Sequence, residues 1–174
     1  MTHTGTSVPP LVTRLARELG LSLAFVEAAQ RREDEQSEWG TLWAIARNED
    51  TPVTVLSKLA THDGADVRLA IVMNRKTPEE LLVRFVNDEG PIIRRETATR
   101  LSTQTEALRT LAKDADSSVR VAVGANQNTP IDVLEEMTSD SEESVRLAVA
   151  TNKASPDHVK TKARAPRVVS KPKA

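Results

Sequence analysis

The chain of 174 residues contains no cysteine. That excludes a disulfide framework, a thiolate metal site and a cysteine nucleophile. Aromatic side chains are scarce: Trp39, Trp43, Phe25 and Phe85 are all there are. So few rings suit neither one large compact core nor a surface on which bases stack. Neither charge dominates, since 24 basic and 25 acidic side chains leave a net charge of -1. Nothing global draws such a chain to nucleic acid or to a membrane surface. No apolar run approaches the roughly 20 residues of a membrane span. The start "MTHTGTSVPP" lacks the basic and apolar stretches of a signal peptide. A soluble cytoplasmic protein is the expectation. Strand signals are missing too: there is no Asn-Gly or Asp-Gly hairpin pair and no sustained two-residue alternation.

The motifs of common catalytic sites are absent as well, including HExxH, GxSxG and a Gly-rich phosphate loop. His3, His62 and His158 fall in the start, a variable turn and an outer helix. No catalytic, cofactor-binding or metal-ligating residue is assigned, and an enzyme is not expected.

What the chain has is a repeat. "VRLAIVMNRKTPEELL" (67–82) and "VRVAVGANQNTPIDVL" (119–134) share Val, Arg, Ala, Asn, Thr, Pro and Leu at the same spacing. A shift of 26 residues brings out whole columns. Asn48, Asn74, Asn126 and Asn152 form one, with Arg100 in the vacant slot. Pro52, Pro78, Pro130 and Pro156 form another, with Gln104 the exception. Arg68, Arg94, Arg120 and Arg146 form a third, and Ala44, Ala70, Ala122 and Ala148 a fourth that Glu96 interrupts. Self-similarity at a period of 20–50 residues is the signature of stacked repeats.

Each unit reads as two short helices. In "DVRLAIVMN", Val67, Ala70, Ile71 and Asn74 recur at helical spacing. Asn is expected to end that helix in the left-handed conformation. Thr77 is expected as N-cap of the second helix, with Pro78 at its first position and Glu80 completing a capping box. Thr103 and Glu106 repeat that register in the unit lacking Pro. The second helix should bury Leu81, Leu82 and Phe85. Helices this short are marginal alone in water, so stacking must hold them.

On the motif "D-x-x-x-x-V-R-x-A-V-x-x-N-x-x-T-P-x-x-V-L", read from Asp114 to Leu134, the chain resembles the leucine-rich repeat variant family, and more distantly HEAT-like solenoids. The resemblance implies a right-handed superhelix of paired short helices, one of each pair 3-10 in that family. The longer unit here favours α-helix in both. Some members carry a cysteine-ligated iron–sulfur cluster, which a chain without cysteine does not take over. The expected fold is thus all-α: a right-handed α-solenoid of about five 26-residue two-helix repeats over residues 39–163. Residues 1–8 are expected to be disordered, 9–38 to form an N-terminal helical cap, and 164–174 to be a basic flexible tail. Trp39 and Trp43 are expected to pack where the cap meets the first repeat.

The arginine column invites two readings. It is either a phosphate-gripping stripe or a structural ladder with Asp88, Asp114 and Asp140, which stand six residues before Arg94, Arg120 and Arg146. HEAT-like solenoids use this spacing as a ladder, and the ladder is the preferred reading. His62 stands in the acid's place ahead of Arg68. The asparagine column is read as structural. The third unit breaks the pattern at Arg95, Glu96 and Arg100, so Arg94, Arg95, Glu96 and Arg100 are candidate partner-binding residues. Glu96 should pair with Arg95, Arg100 or Arg120. Two columns vary from unit to unit and include Arg84 and Arg109, the other candidates. Their mixed charge favours a partner protein. The expected function is a non-enzymatic binding scaffold with no cofactor. The alternative is nucleic-acid association through the tail and the third-unit arginines.

Overall fold

The computed structural model describes residues 10–31, 37–101 and 104–165. Among these the chain is all-helical, with twelve α-helices, one 3-10 turn and no strand. The start at 1–8, most of the tail and Thr103 lie outside the described residues. No described helix is long and apolar enough to cross a membrane. The chain divides into two compact bodies, Met1–Leu81 and Leu82–Ala174.

The first body holds α1 (Pro10–Leu19), α2 (Leu23–Gln30), α3 (Glu38–Arg47), α4 (Val53–Leu59), α5 (Ala65–Met73) and the start of α6 (Glu79–Leu82). Val12, Leu15, Ala16 and Leu19 fall on one face of α1 and are buried. Gly20 ends that helix at φ +72, where a β-carbon is disfavoured. Ser22 caps α2 by accepting from the Phe25 N–H at 3.2 Å, and Ser37 caps α3 by accepting from the Gly40 N–H at 3.0 Å. Helices α1 and α2 pack together, α2 packs on α3, and α3 packs along α5. An ion pair between Arg14 and Glu38 ties α1 to the start of α3. Trp39, Trp43 and Arg47 follow one another at steps of four, on the stripe of α3 turned away from the buried Ile45. Trp43 is half-buried, with the Arg47 guanidinium 5.0 Å from its ring. Trp39 stays 44% exposed, its ring lying 3.8 Å from where a β-carbon on Gly64 would fall.

The second body runs from the 3-10 turn Val83–Phe85 through α7 (Pro91–Arg100), α8 (Thr105–Leu111), α9 (Ser117–Ala125), α10 (Ile131–Met137), α11 (Glu143–Thr151) and α12 (Asp157–Arg164). The longer helices α7, α9 and α11 lie side by side with α9 in the middle. Val119 and Val123 of α9 and Val145 and Val149 of α11 are fully buried. Each such side chain contributes roughly 1.5–3 kcal/mol, which helices of this length need from their neighbours. A β-carbon on Gly124 would fall 3.2 Å from that of Ala148, so α9 and α11 approach closely there. α12 lies broadly along α11, and α10 packs against both of them more narrowly.

Two local expectations are corrected. The asparagines do cap the first helices, but in an extended conformation: Asn74 has φ -70 and ψ 119. Among the described residues only Gly20 has positive φ. The prolines do not sit at the first helical position of the second helices. Pro52, Pro130 and Pro156 are themselves the N-caps. The preceding Thr or Ser is not a cap, because its hydroxyl bonds backwards. Thr77 Oγ1 donates to Ile71 O at 2.6 Å, and the Thr77 N–H goes to Asn74 O, so no capping box with Glu80 forms.

Candidate functional site

The repeated polar residues meet in the turns that follow the first helices. A helix C-terminus leaves carbonyls without partners. Here the next unit supplies the donors. Asn74 Nδ2 donates to Ala46 O and Asn48 O, both at 2.8 Å. Asn152 Nδ2 does the same to Gly124 O at 2.8 Å and Asn126 O at 2.9 Å. The other amide atom braces the turn: Asn74 Oδ1 accepts from the Lys76 N–H, Asn152 Oδ1 from the Ala154 N–H. Asn48, the first of the column, shows only this second bond, from the Asp50 N–H at 3.0 Å.

A hydroxyl column completes the seam. Thr51, Thr77, Thr129 and Ser155 are buried and donate to carbonyls six residues back, Ile45, Ile71, Val123 and Val149, at 2.5–2.7 Å. Sequence reading missed this role. The recurrence of Thr or Ser before Pro was visible, but N-capping was the commoner explanation for it.

The arginines act as forks. Arg94 Nη1 donates to Asp88 O at 2.7 Å and Glu89 O at 3.1 Å, in its own turn. Its Nε and Nη2 donate to the Asp114 carboxylate of the next unit at 2.7 and 2.9 Å. Arg120 repeats the arrangement with Asp114 O, Ala115 O and the Asp140 carboxylate. Bidentate pairing of this kind is the strong form of the interaction. Asp114 Oδ1 also accepts from the Asp116 N–H, which fixes the turn. The Arg94 hydrogen bonds chiefly hold the Asp114 carboxyl below its usual range. For Asp140 burial pushes upward, but Arg120 and the Glu142 N–H outweigh it and the value is again lowered. In the first body, Arg68 Nη1 donates to His62 O and Asp63 O at 2.9 and 2.8 Å. His62 Nδ1 accepts from the Gly64 N–H at 2.9 Å, the turn bond that aspartate makes elsewhere.

The third unit departs from this scheme in a definite way. α7 runs through Arg100 and is capped by Leu101, where the other first helices stop at Asn. Asn126 therefore donates to Ala98 O and Leu101 O, both at 2.7 Å. Its second acceptor lies 25 residues back instead of 26. Glu96 is half-buried and paired with Arg95 at 2.8 Å. Ile92, Arg95, Glu96 and Thr99 fall on one outward stripe of α7, with Ile92 53% exposed. Beside it, a pocket of about 490 Å3 is lined by Thr99, Ala122, Asn126, Gln127 and Asn128. Of the remaining candidates, Arg84 is exposed, Arg109 pairs with Asp132 at 2.5 Å, and Arg100 is half-buried at the end of α7.

Among the described residues no buried side-chain polar atom lacks a partner, and no cluster of His, Asp or Glu is arranged to hold a metal. Compared with known proteins, the chain matches no family model, no curated protein and no solved structure.

Proposed function

We propose that the chain is a right-handed α-solenoid of about five two-helix repeats behind an N-terminal cap, of the leucine-rich-repeat-variant kind, and serves as a non-enzymatic scaffold for a partner protein. The observation that carries this reading is the division of labour among polar side chains. Within the columns that recur, Asn74, Asn126, Asn152, Arg94 and Arg120 are occupied in the turns, whereas the α7 stripe turns apolar, cationic, anionic and hydroxyl groups outward. The adjoining pocket offers the amides of Gln127 and Asn128, which suit the backbone of a bound peptide. Nucleic acid fits less well. Of the third-unit arginines, Arg94 is neutralised by Asp114 and Arg95 by Glu96.

The test compares the full chain with its Ile92→Ser, Arg95→Ala double variant, both immobilised and exposed to native-cell lysate. The same captured protein should be lost by the variant while the variant stays folded, its melting temperature lowered by no more than a few degrees. Capture that survives the double change refutes the α7 stripe as the docking face. Capture that collapses between 50 and 200 mM salt, with nucleic acid in the eluate, favours the phosphate-binding alternative.

A further inference from the structure

Arg146 is the last fork of the column. Its Nη1 is anchored as in the earlier units, donating to Asp140 O at 2.8 Å and Ser141 O at 3.1 Å. The Nε and Nη2 edge takes a carboxylate in Arg94 and Arg120. In Arg146 that edge meets no carboxylate among the described residues. Residues 164–174 contain no acidic side chain. Arg146 also lines a pocket of about 380 Å3 with Leu147, Ala150, Ala163, Arg164 and Glu143. Leu147 is 58% exposed there.

We infer that Arg146 is a docking point for an aspartate side chain in a turn of a partner protein. The claim deepens the scaffold reading and rests on it. The chain displays the occupant's chemistry twice in its own fold, since Asp114 and Asp140 sit in tight turns whose Oδ1 accepts the N–H two residues on. A guanidinium already oriented by two carbonyls loses little freedom when it takes the same group from outside. Arg164 adds a second positive charge at the pocket and Glu143 a negative one, and the exposed Leu147 gives apolar contact to the residues flanking the aspartate.

The probe is the acetylated, amidated peptide Lys-Asp-Ala-Asp-Ser-Ser-Val, a copy of residues 113–119. It is titrated into the full chain labelled with 15N-arginine. The Arg146 Nε–Hε resonance, assigned by its loss in Arg146→Ala, should move and saturate. The peptide with Asn at the Asp114 position should bind at least about ten-fold more weakly, as should Arg146→Lys protein, which keeps the charge without the fork. The Asn peptide leaves the fold of the chain untouched, so the comparison holds whatever the variants do to stability. A resonance that stays still, or that answers both peptides alike, overturns the proposal. So does one that answers only acetyl-Ser-Ser-Val with a free carboxyl terminus. If Arg146 stays still while the α7 double variant still loses its partner, the docking point falls and the scaffold stands. If Arg146 responds and the α7 variant retains its partner, the docking point stands and the α7 face falls.

Discussion

Two sets of polar bridges link successive units in the second body, one in the turns and one across the outer helices. In the turns, Asn126, Asn152, Arg94 and Arg120 reach backbone carbonyls or nearly buried carboxylates. Across the outer helices, Arg109 meets Asp132 and Glu135 meets His158, between side chains that are mostly exposed. Both sets span similar distances along the chain. Only the first recurs as a column of one residue type. The reason is burial. An unpaired carbonyl in a closed seam keeps its full desolvation penalty, whereas an unpaired exposed charge is simply hydrated.

Substitutions can break this contrast. The largest effect belongs to Asn126→Ala, which removes the amide that donates to Ala98 O and Leu101 O and the acceptor of the Asn128 N–H. A loss of about 2–4 kcal/mol is expected from urea unfolding. Asp114→Asn keeps the turn but removes the charge that Arg94 grips, and about 1–3 kcal/mol should go. This pair also sets an acid limb. Asp114 and Asp140 titrate lower folded than unfolded, where aspartate lies near 3.9. Their stabilisation is therefore complete above about pH 4 and drains as pH falls through the folded values. Urea midpoints measured down that range should drop for the parent and drop less for Asp114→Asn. Thr129→Val, which removes the bond to Val123 O, should cost about 1 kcal/mol by the same measurement. Arg109→Ala should leave the thermal midpoint where it was, because its partner is open to water. An Arg109 effect as large as that of Asn126 would erase the distinction between seam and surface.

Much of the seam could be read from the letters. The helix pairs follow from apolar spacing in stretches such as Val67 to Ile71, and the residue types of the turn columns follow from the 26-residue shift. The partners of those columns could not be read. Asn74 looks like a local cap, since nothing in its neighbourhood reveals a carbonyl 28 residues earlier. Thr77 before Pro78 suggests a helix start, and only the fold shows its hydroxyl turned back to Ile71. Glu96 looks costly in a column of alanines, yet the adjacent Arg95 satisfies it on the outer stripe. Exposure of Trp39 was not legible either, because its spacing with Trp43 fits an inner or an outer stripe equally well.

The Asn and Asp contacts all point the same way along the chain. Asn74 completes the turn of Asn48, Asn152 that of Asn126, and Asp140 the fork of Arg120, so in these pairs the earlier unit is finished by the later one. Fraying should accordingly be polar. Deleting residues from Asp140 onward would strip protection from the amides around Asn126, whereas unlatching α7 would leave the bonds between Asn152 and Gly124 whole.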